Sequence, residues 1–355
     1  MDRLARCIVT GLGALALAAC SHTEAFENPD RTIDGPFAPG APLRLTYNAG
    51  ADQAPAFVPT GDGVLYAFVR PGTGDGDQCL GLLPPGGGTA TEWCPRSAGS
   101  RDSTDRLGEP VSLDETALLY TRASRPIGTV ADAWSYLGTA PVTDPDAFAP
   151  RVRFPFTASS GRLHLRAAFP IVLDGGRIAY LARKLVSAAP VPTGEGALLV
   201  ELGVEVAIAS LADDAAPAPV EGTADATSLA PGAAAGEFLF TRPDDASVYV
   251  RRADGTVEVL HTFAATAREP SLAAGRLLAV VGGSVGMWFE GVPATQTAQV
   301  DFGGPLVLVD LDTGEETVIS SPAALYRRPR LSPDGTFAVA QTAGDSPDLH
   351  RLELP

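Results

Sequence analysis

The segment PRLSPDGTFAV at residues 329–339 has the pattern of a strand, a tight turn and a second strand. Pro333-Asp334-Gly335 predicts the turn, because proline presets φ at the first turn position and glycine accepts a positive φ. Residues 337–339 are mostly β-forming, so we expect them to enter a buried strand. The segment therefore predicts a β-hairpin with its second strand in the core.

Copies of this segment recur along the chain, as in a repeat protein. They read PAFVPTGDGVLY, PVSLDETALLY, PIVLDGGRIAY, LAPGAAAGEFLF and PSLAAGRLLA at residues 55–66, 110–120, 170–180, 229–240 and 270–279. Most copies precede a second hairpin, of which Pro305–Ile319 with the turn Thr313-Gly314 is an example. No stretch shows helical periodicity over several turns. Each repeat is therefore predicted to form about four antiparallel strands.

Six units of four strands arranged radially predict an all-β chain with the architecture of a six-bladed β-propeller. The last unit is one strand short, because only residues 348–354 follow its second strand. The strand-like segment at residues 43–47 has no partner of its own. We expect it to pair with the last unit and close the ring, so the propeller would span residues 43–355.

The phrase Leu331-Ser332-Pro333-Asp334-Gly335 resembles the WD40-like repeat of the TolB family. That family has a propeller of six blades. The resemblance covers about residues 43–355, and it implies the same fold for this chain.

The N-terminus has the features of a secretory signal. Arg3 and Arg6 precede the apolar segment Cys7–Ala19, which is too short to span a bilayer stably. The segment Leu17–Cys20 resembles the lipobox of bacterial lipoproteins, in which the chain is cut before the cysteine and the cysteine is acylated. An ordinary signal peptide followed by a chance cysteine is the alternative.

The lipobox resemblance divides the N-terminal region into two parts. Residues 1–19 would be a lipoprotein signal peptide, and residues 20–42 a lipidated cysteine with a flexible, Pro- and Gly-rich tether. Ser21 follows Cys20, where an aspartate in this family often signals retention in the inner membrane. We therefore expect a lipid-anchored protein of the cell envelope, in the outer membrane of a host that has one.

The charge of the chain restricts its partners. Removing residues 1–19 changes the formal charge from −16 to −17, since 42 − 1 acidic and 26 − 2 basic residues remain. So acidic a chain argues against nucleic acid as a partner and against a polybasic membrane surface. Lys184 is its only lysine, which leaves little room for lysine-based chemistry.

Two cysteines remain after Cys7 leaves with the signal and Cys20 takes the lipid. The turn Pro84–Gly88 lies near the midpoint between Cys79 and Cys94, so the two cysteines would lie nearly opposite each other on one hairpin. In an oxidising compartment this spacing predicts a structural disulfide. A redox pair, the alternative, lacks the close C-x-x-C spacing.

Three motifs with catalytic or metal-binding potential are better explained by structure. Residues 282–286 match G-x-S-x-G, but a short aromatic segment, rather than a helix, follows them. Residues 74–77 lack the spacing of an EF-hand. No metal-ligand spacing joins the four histidines, His22, His164, His261 and His350. We therefore predict no catalytic residue, metal site or cofactor.

Charged residues stand just before several of the repeat prolines. They are Glu109, Glu269 with Arg268, and Arg328 with Arg327. The first strand of each blade lines the channel of a propeller, so these side chains would gather at one channel mouth and form a binding site. The alternative is a polar plug in which they pair with each other.

These features favour a non-catalytic lipoprotein that binds or scaffolds envelope proteins or cell-wall components. The alternative is a six-bladed-propeller enzyme, similar to a hydrolase, lactonase or sugar dehydrogenase, that acts at the channel mouth. A channel blocked by paired charges, with an apolar patch on an outer face, would favour the first function.

Overall fold

A computed structural model describes residues 41–47, 50–69, 78–94, 103–126, 134–154, 163–174, 176–187, 199–212, 217–283, 285–289, 297–301, 303–321, 324–344 and 346–355. The predicted signal peptide, Cys20 and nearly all of the predicted tether lie outside these residues, as do residues 74–77 and Ser284. Every regular element in these ranges is a β-strand, so they contain no helix long and apolar enough to cross a bilayer.

The described part of the chain contains twenty-six strands. The first thirteen are β1 Pro42–Arg44, β2 Asp52–Phe57, β3 Val64–Val69, β4 Gln78–Leu83, β5 Thr91–Trp93, β6 Ser103–Ser112, β7 Ala117–Pro126, β8 Trp134–Pro141, β9 Ala149–Phe154, β10 Leu163–Asp174, β11 Arg177–Ser187, β12 Leu199–Ser210 and β13 Ala218–Pro219. The others are β14 Ser228–Pro231, β15 Phe238–Thr241, β16 Ser247–Arg251, β17 Val257–Thr262, β18 Ala267–Ala273, β19 Arg276–Val281, β20 Val285–Phe289, β21 Thr297–Asp301, β22 Leu306–Asp310, β23 Glu316–Val318, β24 Tyr326–Leu331, β25 Phe337–Thr342 and β26 Leu349–Glu353.

The strands form four sheets of four strands, in the orders β10-β11-β12-β13, β14-β15-β16-β17, β18-β19-β22-β23 and β1-β26-β25-β24. A fifth sheet has eight strands, because β4 and β6 share one parallel pair at Gln78 and Arg106. β20 and β21 form a separate hairpin. The hydrogen-bonded sheets of the described residues are therefore not the six separate four-stranded sheets that the sequence predicts.

The first strands of the sheets pack beside one another. β10 contacts β6 and β14, and β18 contacts β14 and β24. Antiparallel four-stranded sheets arranged in this way are the blades of a β-propeller, and the first strands face its central channel. The predicted all-β propeller fold is confirmed at this level.

The hydrophobic core lies between neighbouring sheets, and the second strand of each repeat is at its centre. The last residue of each repeat segment is 2% exposed or less, and these residues are Tyr66, Tyr120, Tyr180, Phe240, Ala279 and Val339. Each buried aromatic ring contributes about 2–3 kcal/mol to folding. The repeats therefore bury the residues that the sequence pattern selects.

The strand that follows the predicted tether pairs with the end of the chain. β1 runs antiparallel to β26, with Leu43 opposite Arg351. Beyond β1, the Leu45 amide donates to Leu349 O at 2.8 Å, and the Leu349 amide donates to Thr46 Oγ1 at 2.9 Å. The first and last strands of the described chain are thus held in one sheet.

A disulfide joins Cys79 to Cys94, as predicted. β4 and β5 pair antiparallel with Leu80 opposite Trp93, and the two cysteine Cα atoms are 4.4 Å apart. Closing a loop with a sequence separation of 15 residues contributes about 3 kcal/mol in the chain-entropy model. The bond therefore stabilises β5, a strand of only three residues.

Candidate functional site

Five first strands carry a β-bulge at the residue before the repeat proline. The register shifts there in β2, β6, β10, β18 and β24. The bulged residues have φ between 48° and 55°, and they are Ala54, Glu109, Phe169, Glu269 and Arg328. This left-handed conformation is costly for a residue with a side chain. The bulge redirects both the amide and the side chain of each residue.

Four of the bulged amides donate to a side chain of a neighbouring sheet. The four bonds are Ala54 N to Gln341 Oε1 at 3.1 Å, Phe169 N to Glu109 Oε2 at 3.2 Å, Glu269 N to Ser228 Oγ at 3.1 Å and Arg328 N to Glu269 Oε2 at 2.6 Å. Because buried amides need acceptors, three of these bonds hold first strands to one another, and the bond from Ala54 holds β2 to β25. Glu109 and Glu269, the two glutamates that the sequence predicts for the site, therefore stabilise the contacts between first strands.

Glu109 and Arg328 form an ion pair in the channel. Arg328 Nη1 donates to Glu109 Oε2 at 2.7 Å, and the guanidinium lies 4.3 Å from the centre of the Phe169 ring. Burial alone would raise the pKa of Glu109, but the charge and hydrogen bond of Arg328 lower it below its usual value. Glu109 is thus a carboxylate at neutral pH.

The other predicted residues lie around this pair. Glu269 is 5% exposed, and its Oε1 lies 3.8 Å from Arg327 Nη2. Arg268 instead donates to the carbonyls of Gly282 at 2.9 Å and Gly303 at 3.2 Å. The structure therefore brings Glu109, Glu269, Arg327 and Arg328 together, whereas Arg268 holds the segment after β19.

Arg330 is a channel residue that the sequence analysis missed. Burial and the charge of Arg328 lower its pKa to about 10, against the opposing effect of the two glutamates. Its Nη1 donates to Pro329 O at 3.0 Å. Arg330 directly follows Pro329 in the repeat segment 329–339, so the charged residue after the repeat proline is the sequence signal for it.

A cavity of about 280 Å³ adjoins the ion pair. Its walls include small residues such as Ala54, Ala67 and Ala123, which leave the space open. Its polar lining includes Gln53, Gln78, Arg106, Glu109, Thr121 and Arg328. Apart from Glu109 and Arg328, none of these was predicted, since they come from strands far apart in the sequence.

The structure describes the surroundings of only some residues of the rejected motifs. Ser284 lies outside them, and the segment after it is the strand β20 rather than the helix of a nucleophile elbow. His261 Nε2 lies 2.9 Å from Glu316 Oε1, and His350 Nδ1 lies 3.1 Å from the Tyr326 hydroxyl. The described residues contain no group of three histidine, cysteine, aspartate or glutamate side chains that could hold a metal ion.

Comparison with solved structures identifies TolB proteins and other propellers as similar folds. The chain is similar to TolB from Acinetobacter baumannii, with 14% identity and a TM-score of 0.52, over 82% of this chain and 63% of that one. It is also similar to a gluconolactonase from Xanthomonas campestris, with 11% identity and a TM-score of 0.54, over 94% and 96% of the two chains.

At these identities the likeness concerns the fold alone. The chain spans less than two thirds of the Acinetobacter protein. No family model matches the sequence, and no curated protein does so either.

Proposed function

We propose that the protein is a non-catalytic lipoprotein of the cell envelope whose propeller binds an envelope protein or a cell-wall component. One observation carries this proposal: the carboxylates of the channel accept partly buried hydrogen bonds from other first strands. A general acid or base exchanges protons near the working pH. Glu109 is instead held as an anion by Arg328 and serves as an inter-strand acceptor.

The proposed architecture has six blades, with the eight-stranded sheet divided into β2–β5 and β6–β9. A single pair, Gln78 and Arg106, joins the halves, while a hydrophobic cluster that includes Leu65, Leu107 and Leu118 packs between them. β2 contacts both β6 and β24. β1 would close the ring by completing the last blade on β26.

An exposed edge offers a surface for a protein partner. Val259 on β17 and Val318 on β23 are 52% and 59% exposed. These are the outermost strands of adjacent sheets, and the His261–Glu316 contact joins them. Exposed strand edges with apolar side chains are sites of protein contact. We assign the partner to this outer face.

Anchoring is tested by metabolic labelling with an alkyne fatty acid in the native host. The wild type is expected to incorporate the label and fractionate with membranes, whereas Cys20→Ser loses the label. Cys7→Ser is the matched control, because Cys7 would leave with the signal, and it should label normally. Equal labelling of the wild type and Cys20→Ser contradicts lipidation at Cys20.

Partner binding is tested by crosslinking in the intact envelope followed by pull-down. A stoichiometric partner is expected with the wild type and not with the double variant Val259→Asp, Val318→Asp. Leu325→Asp is the control, because Leu325 is 40% exposed and precedes β24 in another sheet. Loss of the partner in the control alone would refute the assigned face, and no partner with the wild type would refute the module.

The enzyme remains the second candidate, because the cavity adjoins Glu109. In a lactone- and sugar-hydrolysis screen of the purified protein, turnover that is lost in Glu109→Gln would favour it over the binding module.

A further inference from the structure

The cavity beside the Glu109–Arg328 pair lies where the two halves of the eight-stranded sheet meet. Its lining comes from β2, β3 and β4 of the first half, from β6, β7 and β8 of the second half, and from β10 and β24. The single parallel pair of Gln78 and Arg106 joins these halves. The cavity is therefore separate from the outer strands β17 and β23, to which the protein partner is assigned.

The charged side chains of this cavity already have partners. Glu109 accepts a hydrogen bond from Arg328 Nη1 at 2.7 Å, and the Arg328 guanidinium lies 4.3 Å from the centre of the Phe169 ring. Arg106 takes part in an interaction of its own. A charged ligand would compete with these contacts or stay unpaired in a partly buried site, and both are costly. The lining therefore favours a ligand without net charge.

The neutral polar side chains of the lining have unused capacity for hydrogen bonds. Gln53, Gln78 and Thr121 form no side-chain hydrogen bond within the part of the chain that the structure describes. Their two amides and one hydroxyl group offer both donors and acceptors. Such groups complement the hydroxyl groups of a neutral ligand, each of which also donates and accepts.

Gly108 marks the open space onto which two of these groups converge. It lies inside β6, and its φ is outside the left-handed region, so its backbone does not require glycine. A Cβ atom at this position would lie 3.2 Å from Thr121 Oγ1 and 4.0 Å from Gln78 Oε1, and it would meet no other described atom within 4 Å apart from its chain neighbours. Glycine weakens a strand and often marks the close approach of a ligand or of another backbone. No described backbone fills this space, so a ligand is the better explanation.

We propose that this cavity binds a neutral polyhydroxylated molecule of the size of one monosaccharide. Gln53, Gln78 and Thr121 form hydrogen bonds with its hydroxyl groups, and the space in front of Gly108 admits its ring. This site goes beyond the proposed binding of a protein partner, because it takes a small molecule at the channel instead of a partner at the outer face.

The size and the apolar part of the lining fit this class of ligand. Sites for drug-sized molecules measure about 300–1,000 Å³, and this cavity measures about 280 Å³. Ala54, Ala67 and Ala123 contribute methyl groups to its walls, against which the C–H groups of a sugar ring pack. A single ring with several hydroxyl groups therefore matches the cavity better than an oligomer does.

The test is titration of the purified full chain with hexoses, followed by ligand-observed NMR, which detects weak binding. The probes are glucose, galactose and mannose, and the hexose that binds most tightly is compared with its uronate and its 2-amino derivative. These derivatives keep the ring and add one negative or one positive charge. We expect the neutral hexose to bind at least about tenfold more tightly than either charged form. No binding of any of the three hexoses, or equal or tighter binding of a charged form, would overturn the proposal.

A glycine substitution locates the site. Gly108→Ala keeps every charge and every polar group, but its methyl group occupies the space in front of Thr121. We expect it to weaken hexose binding by about tenfold or more. Gly176→Ala is the matched control, because its methyl group would meet no other described part of the chain within 4 Å, and it should leave the affinity unchanged.

A second variant provides the test if Gly108→Ala does not fold. Thr121→Val keeps the branched shape of the side chain and removes its hydroxyl group. It should weaken hexose binding by about three- to tenfold. Thermal unfolding of each variant establishes that it is folded, and wild-type affinity in the folded variants would refute the site. Since the titration uses purified protein, it can fail while the envelope partner is found, and it can succeed when no partner exists.

Discussion

β14 and the five bulged first strands form hydrogen bonds to neighbouring sheets with different backbone conformations. β14 pairs with β15 without a register shift, and the Ser228 hydroxyl on it accepts the Glu269 amide of the adjacent strand. The bulged strands place a residue at φ near 50° instead, which costs about 1–2 kcal/mol for a residue with a Cβ atom. The difference shows that the costly backbone occurs where the amide must turn toward a neighbouring sheet.

Two of the bulged residues use their side chains as Ser228 does, to accept a backbone amide of another first strand. Glu109 and Glu269 accept amides from the next bulged first strand in the sequence, as Ser228 on β14 accepts the Glu269 amide from β18. Arg328 reaches Glu109 on a strand far from its own in sequence. The charged channel is therefore an extension of the inter-sheet hydrogen bonding, rather than a set of independent charges.

The largest effect is expected when the ion pair is broken. Glu109→Ala leaves Arg328 partly buried without this carboxylate and removes the acceptor of the Phe169 amide. We expect a loss of about 3–5 kcal/mol in the free energy of unfolding, measured by urea denaturation. Glu258→Ala is the control, because its bond to Arg252 lies on the surface and is worth less than about 1 kcal/mol. Similar losses in both would contradict the structural role of the channel pair.

A smaller loss is expected in the unbulged strand. Ser228→Ala removes the acceptor of the Glu269 amide and the 2.6 Å contact with Thr241 Oγ1. Leaving a buried amide without its acceptor costs about 1–3 kcal/mol, which the same urea experiment would measure. Ser247→Ala, whose hydroxyl meets Thr262 on the surface, should change stability by less than about 0.5 kcal/mol. An unchanged free energy of unfolding in Ser228→Ala would show that the stability of β14 does not depend on this bond.

The sequence predicted the strands and turns well because their signals are local. Gly335 has φ of 71°, and its amide donates to Ser332 O at 2.8 Å, as the Pro-Asp-Gly turn requires. The buried positions of the second strands follow from their β-forming, apolar residues. These features depend on neighbouring residues, so one repeat is enough to recognise them.

The site was predicted only in part, because its geometry depends on non-local contacts. A residue before proline is expected to be extended, so nothing in the sequence indicated the left-handed bulges at Glu109 or Arg328. Arg106 and Gln78 line the cavity through a single pairing of two parallel strands. The merging of two predicted units into one eight-stranded sheet comes from that same pair.

Glycine substitutions compare the two kinds of strand directly. Ala54→Gly should be neutral or stabilising by up to about 1 kcal/mol, because glycine tolerates the φ of 55° at this bulge. Ala230→Gly in β14, where the residue is fully buried, should destabilise by about 1–2 kcal/mol through lost burial and added backbone entropy. Thermal unfolding of both variants measures the difference. An equal loss would show that the left-handed conformation carries no cost at Ala54.

The last comparison concerns pH. Since the folded pKa of Glu109 lies below its usual value of 4.5, its contribution is fully present above that value and is lost as the pH falls through the folded pKa. Several turn aspartates, including Asp114 and Asp334, also have lowered pKa values, so the wild type alone cannot isolate Glu109. We expect the difference in stability between the wild type and Glu109→Gln to shrink as the pH falls below about 4.5. A difference that stays constant with pH would mean that Glu109 acts through its shape and hydrogen bonds rather than through its charge.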